Sequence, residues 1–138
     1  MFRRTSAGTR FETVAAAWGG LVPAIALIAT STQPEVLRLV IAMVAFAIGG
    51  FLCGIRATNR RAAHGVVAAL IGVGIYVAFI GVTHVASWVG IGPEPFGIEP
   101  SEPARLAILV GVGVVTSGLA GALAGLMLSS AGASRIGA

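Results

Sequence analysis

Residues 104–129 read ARLAILVGVGVVTSGLAGALAGLMLS. This stretch decides the fold class, because it is long, apolar and carries one charge, Arg105, close to its start. Crossing the hydrocarbon of a bilayer takes roughly 20 helical residues. In water the Val-rich part, Ile108 to Val115, would favour a strand. In lipid no solvent satisfies the backbone, so the segment must close its own hydrogen bonds as a helix. Three further stretches have the same character, at 13–30, 36–55 and 65–89. The reading is an all-α polytopic membrane protein, a single four-helix transmembrane domain arranged as two tandem helical hairpins. The third and fourth spans exceed the minimum and are expected to tilt.

Composition excludes an ordinary soluble domain. Hydrophobic residues make up 57% of the 138 residues and charged residues 10%, against about 25% charged in a typical soluble protein. Mean hydropathy is +0.96. Every basic residue is Arg and every acid is Glu, which with the many Ala, Gly and Val residues suggests a GC-rich bacterial genome and hence a bacterial plasma membrane. A net charge of +4 could suggest nucleic-acid binding. The Arg residues, however, sit at the ends of apolar segments, so they read as orientation signals and no nucleic-acid partner is expected.

Those flanks set an expected orientation. Arg3, Arg4, Arg10, Arg56, Arg60, Arg61 and Arg135 fall on one side, and only Arg38 and Arg105 on the other, beside Glu35, Glu94, Glu99 and Glu102. The positive-inside rule then places both termini and the Arg56–Arg61 loop in the cytoplasm. The first 31 residues also carry elements of a signal peptide. Their apolar centre exceeds the usual 7–15 residues, which favours an uncleaved first span.

Helix starts and a repeat are legible too. Thr32, Pro34 and Glu35 suggest a capping box ahead of span two, and Ser101, Glu102 and Pro103 a similar start for span four. Glu35, Arg38, Leu39 and Ile41 recur as Glu102, Arg105, Leu106 and Ile108, an offset of 67 (102 − 35) that also carries Gly50 and Gly54 onto Ser117 and Gly121. Chance resemblance between capped, Gly-rich helices competes with a true duplication, because spans one and three need a different offset.

Helix pairing in lipid depends on small residues that let backbones approach. Span four shows Gly113, Ser117, Gly121, Gly125 and Ser129 at every fourth position; span two ends in Gly50 and Gly54. Ala16, Gly20 and Ala24 repeat the pattern in span one, and Ala68–Gly72 and Gly74–Ala78 in span three. Packing inside the bundle accounts for most of these. The span-four stripe is longer than one partner helix requires, so it is expected to meet a second copy or another membrane subunit. Pro23, inside span one, is expected to kink it.

Few residues suggest chemistry. His84 is the titratable group well inside a span; a proton path is conceivable, but bonding within the bundle beside Trp88 is the expected role. His64 falls in the basic loop and is expected to be solvated. Cys53 stands alone in an apolar run. No zinc pattern, serine elbow, P-loop or paired carboxylate occurs, so neither enzymatic activity nor a cofactor nor a metal is expected. Arg56, Arg60 and Arg61 would attract anionic headgroups, each by about 1 kcal/mol near a charged leaflet. The outer loop, Gly90 to Pro103, carries several Pro residues and is expected to be stiff and extended.

Gly49-Gly50-Phe51-Leu52-Cys53-Gly54-Ile55-Arg56, followed by Arg60-Arg61-Ala62-Ala63-His64-Gly65, resembles the small four-span bacterial membrane proteins of the YrzE type. These have a Gly-rich second span, a short basic turn and a His-Gly opening to the third. The resemblance covers about the central third of the chain. It implies four spans and no particular activity, since that family has no known function. The expectation is a non-enzymatic accessory or structural subunit contacting lipids, itself or a larger membrane complex. The alternatives are a small transporter or channel, which should gather Thr83, His84, Thr116 and Ser117 around one wet cavity, and an anionic-lipid-binding regulator.

Overall fold

The computed structural model describes residues 7–57, 60–91 and 103–133, with side chains from Thr13 to Ser129 within those ranges. Four helices account for nearly all of them: α1 (Ala7–Ala29), α2 (Glu35–Arg56), α3 (Arg61–Trp88) and α4 (Pro103–Ala133). α2, α3 and α4 are each long and apolar enough to cross a membrane; the described apolar part of α1, Thr13–Ala29, is shorter. Each expected span lies on one of these helices. The starts are displaced most: α1 begins at Ala7 rather than Thr13, and α3 at Arg61 rather than Gly65. Arg60 makes the α3 start possible by adopting a left-handed conformation (φ 50°), which turns the chain sharply into the helix.

The start of α2 differs from the expected capping box. Pro34 is the residue before the helix and no side chain caps it. Thr32 lies outside, in a turn in which the Gln33 amide donates to the Thr30 carbonyl. Pro34, with ψ of 144°, holds extended backbone at the position where the helix must begin, so Thr32 is too far back to reach the first amides. The matching start of α4, at Ser101 and Glu102, lies outside the described residues, as does most of the loop that precedes it.

α1 packs on α2 and α3, α4 packs on α2 and α3, and α2 meets α3 between them. Among the described residues α1 and α4 do not touch. The four axes therefore form a parallelogram with α1 and α4 at its far corners. A twofold axis exchanging the hairpins would convert the α2–α3 contact into an α1–α4 contact, which is absent. The second hairpin is instead shifted sideways by one helix, with α3 beside α1 and α4 beside α2.

The 67-residue offset has a direct spatial meaning in this arrangement. α2 and α4 run parallel, and equivalent residues face each other. Phe46 covers Gly113, Gly50 meets Ser117, and Gly54 meets Gly121. Ala42 and Leu109 share one apolar cluster. At the end carrying Glu35, Arg105 reaches across to Glu35 (3.7 Å), so at least one ion pair joins the two hairpins. Both side chains are at least half exposed, so the pair contributes little, about 0–1 kcal/mol.

Residue size divides the interior in two. Toward the Glu35 end the core consists of large side chains, among them Leu27, Phe46, Tyr76, Ile80 and Leu109. Toward the Arg-rich end it consists of Gly, Ala, Ser117 and Cys53, which allow closer backbone approach. Pro23 belongs to this tight region, fully buried, its ring against Gly49 and Gly72. Helix α1 continues through it, so neighbouring glycines accommodate the ring. The outer surface is apolar all round, as lipid requires; Trp18, Val115, Leu119 and Leu126 are all exposed.

Close approach makes some glycines irreplaceable and others not. A Cβ on Gly50 would overlap the Ser117 carbonyl, whereas one on Gly74 would meet nothing within 4 Å. Gly50→Ala is expected to lower stability by about 1–3 kcal/mol, the usual range for overpacking. Gly74→Ala is expected to be neutral or to stabilise by up to about 1 kcal/mol through helix propensity. Thermal unfolding of the two variants in detergent, followed by the fraction remaining monodisperse, checks the contrast.

Candidate functional site

The polar groups of the bundle sort by depth, and most of those with a defined bond use a carbonyl of their own chain. Ser117 is fully buried where α4 crosses α2 and α3, and its hydroxyl donates to the Gly65 carbonyl at 2.7 Å. Thr83 donates to the Ile80 carbonyl (2.8 Å). His84 Nδ1 lies 2.9 Å from that same carbonyl. Ser87 donates to the His84 carbonyl (3.0 Å), and Thr30 to the Ala26 carbonyl (2.7 Å). Each of these bonds removes a hydroxyl or ring N–H that would be costly in hydrocarbon.

The span-four stripe follows the same logic. Gly113 lies under Phe46, Ser117 between Gly50 and Gly65, Gly121 against Gly54 and the Arg61 backbone, and Gly125 against the Arg61 side chain. The stripe is a packing face within the chain. Its first four residues are covered by α2 and α3, so the expected contact with a second chain is not available there. Ser129 alone of the five is exposed, and its hydroxyl turns back to the Leu126 carbonyl (2.8 Å). The other stripes divide: Ala16, Gly20, Ala24, Ala68 and Gly72 face inward, while Gly74 and Ala78 face out.

The three Arg residues of the basic loop, alike in sequence, occupy different environments. Arg61 Nε donates to the Ala57 carbonyl (2.9 Å), closing the turn between α2 and α3. Its Nη1 donates to the Gly125 carbonyl (3.0 Å), tying that turn to α4. Gly125 leaves room for the guanidinium because it has no side chain. Arg60 is exposed at the corner and held at positive φ. His64 lies in the first turns of α3, half buried, with Nδ1 3.2 Å from the Arg60 carbonyl. Its own carbonyl accepts from buried Cys53 Sγ at 3.5 Å.

Arg56, the last residue of α2, is exposed and lines a groove of about 450 Å³ with Ala15, Trp18, Gly19, Val22 and Leu52. Trp18 forms its outer wall and is 62% exposed. Arg56 and Trp18 are 38 residues apart (56 − 18). Only the antiparallel packing of α1 on α2 places them together. A second groove, between α2 and α4, is almost wholly apolar and includes Phe51, Leu123 and Met127. A small recess of about 70 Å³ lies by Glu35, Arg38 and Arg105.

The residues that would line a transport path are not brought together. His84 and Thr83 lie near the end of α3, whereas Ser117 bonds Gly65 near its beginning. Those α3 positions are 19 residues apart (84 − 65), about 28 Å along a helix axis. Among the described residues no group of three or more His, Cys, Asp or Glu could hold a metal ion. No protein-family model, curated protein or solved structure matches the chain.

Two substitutions separate packing from polarity here. Ser117→Ala removes one hydroxyl bond but keeps the close approach, and should cost less than about 1 kcal/mol, as membrane hydrogen bonds commonly do. Arg61→Gln removes both carbonyl bonds of a charged donor and should cost more, about 1.5–3 kcal/mol. Hydrogen exchange in detergent is expected to rise over residues 122–133 in Arg61→Gln and to stay unchanged there in Ser117→Ala.

Proposed function

We propose that this protein is a non-enzymatic structural or accessory component of a bacterial plasma membrane, associating with itself or with a larger membrane complex. The observation that carries this reading is the use made of polar side chains. Ser117, Thr30, Thr83, His84, Ser87 and Arg61 direct their groups at backbone carbonyls of the same chain. Ser117 and Arg61 thereby brace neighbouring helices, and the other four return to a carbonyl three or four residues back in their own helix. Catalytic and transport sites in membranes instead keep ionisable groups convergent on a cavity, because such groups are expensive to hold there.

The sideways stacking of the hairpins supports the same reading. A closed twofold bundle would bury all four helices about equally. Here α1 and α4 are edge helices, each with neighbours on one side only, and the outward face of α4 presents Ile108, Val115, Leu119 and Leu126. The orientation that goes with the proposal has both termini and the Arg56–Arg61 turn in the cytoplasm, as the Arg distribution favours.

Mild extraction from the native membrane followed by intact-mass measurement tests the association. The expected species contains a second copy or another membrane subunit; a monomer with nothing bound overturns the proposal. For orientation, a reporter that fluoresces only in the cytoplasm is expected to light up when fused to either end. Fluorescence from one end alone would contradict an even number of crossings.

A further inference from the structure

We infer that the groove between α1 and α2 at the Arg-rich end binds one anionic phospholipid, with Arg56 on the phosphate and Trp18 along the glycerol and upper acyl region. The groove is graded in polarity along its length. Ala15 and Arg56 stand at its water end, Trp18, Gly19 and Leu52 at mid-depth, and Val22 deepest. From Ala15 to Val22 is seven residues of α1 (22 − 15), about 10 Å of helix. That order, a cation first and an apolar floor last, is the order of parts in a phospholipid. Its volume of about 450 Å³ lies within the roughly 300–1,000 Å³ of ordinary ligand sites.

The charge argument singles out Arg56. Arg61 has its guanidinium engaged by the Ala57 and Gly125 carbonyls. Arg60 projects from the corner and does not line the groove. Arg56 is exposed at the groove, and among the described residues none forms a hydrogen bond or ion pair with its side chain. A guanidinium matches a phosphate with two parallel N–H donors. Trp is the side chain best suited to the interface between headgroup and hydrocarbon. A wholly apolar groove would accept any acyl chain, but a groove with an Arg at its mouth discriminates by headgroup charge.

The test uses the full chain with Trp88→Phe, which leaves Trp18 as the only tryptophan. The protein is reconstituted in phosphatidylcholine vesicles containing a small fraction of brominated phosphatidylglycerol or, separately, brominated phosphatidylcholine. Bromine quenches only a tryptophan it can touch. At equal mole fraction the anionic lipid is expected to occupy the site about fivefold more readily, the effect of one well-placed Arg. Arg56→Gln should abolish that preference, Arg56→Lys should retain part of it, and Arg60→Gln should leave it intact. Equal quenching by the two lipids overturns the proposal. So does an equal loss in Arg56→Gln and Arg60→Gln, which would indicate diffuse attraction to a basic surface. Inorganic phosphate that erases the preference at constant ionic strength would reassign the site to a soluble anion, and also overturns it.

Discussion

The structure depends on the approach of three backbones at Ser117. This residue lies between Gly50 of α2 and Gly65 of α3, where a side chain on either glycine would overlap its carbonyl. In water such a junction could be driven by expelling solvent from larger side chains. In lipid that drive is missing, so contact area and a satisfied hydroxyl must hold the helices. The 2.7 Å bond from Ser117 to the Gly65 carbonyl meets both needs without an ionisable group. Gly19 against Gly49, and Pro23 against Gly49 and Gly72, extend the same mode of packing to α1.

From that junction follows the asymmetry of the bundle. Small residues draw the helices together toward the Arg-rich end, and Phe46, Tyr76 and Leu27 fill the space between them toward the other. The hairpins stack side by side, so the contacts of α1 on α3 and of α2 on α4 are both parallel, and those of α2 on α4 pair residues at the 67-residue offset. Parallel register explains why residues 67 apart meet: Gly50 with Ser117 and Gly54 with Gly121 are equivalent positions of two similar helices at one depth. It also explains why Arg105 pairs with Glu35 in the other hairpin.

The Arg-rich end shows how one residue type takes on separate tasks. Arg61 is a structural clamp, joining the α2–α3 turn to the α4 backbone. Arg60 takes the strained corner that starts α3. Arg56 is left facing the groove against Trp18. A count of positive charges would treat the three alike, yet only their backbone positions distinguish a brace from a contact available to lipid.

The sequence by itself determined four helices, their approximate limits and the two kinds of end, because lipid leaves an apolar segment of 18 or more residues little choice but to be helical. It also showed an offset of 67 that carries Glu35 onto Glu102 and Arg38 onto Arg105, but did not separate duplication from chance resemblance between capped, Gly-rich helices. Tertiary structure alone decided which way each small-residue stripe faces. Gly72 and Gly74 look alike in sequence, but the first meets Pro23 and the second faces outward. The span-four stripe was legible as a contact face; that its partners are α2 and α3 was not, because spacing along one helix carries no information about which helix lies opposite. The same is true of Arg56 and Trp18. Their separation in sequence hides a proximity created only when α1 folds back on α2.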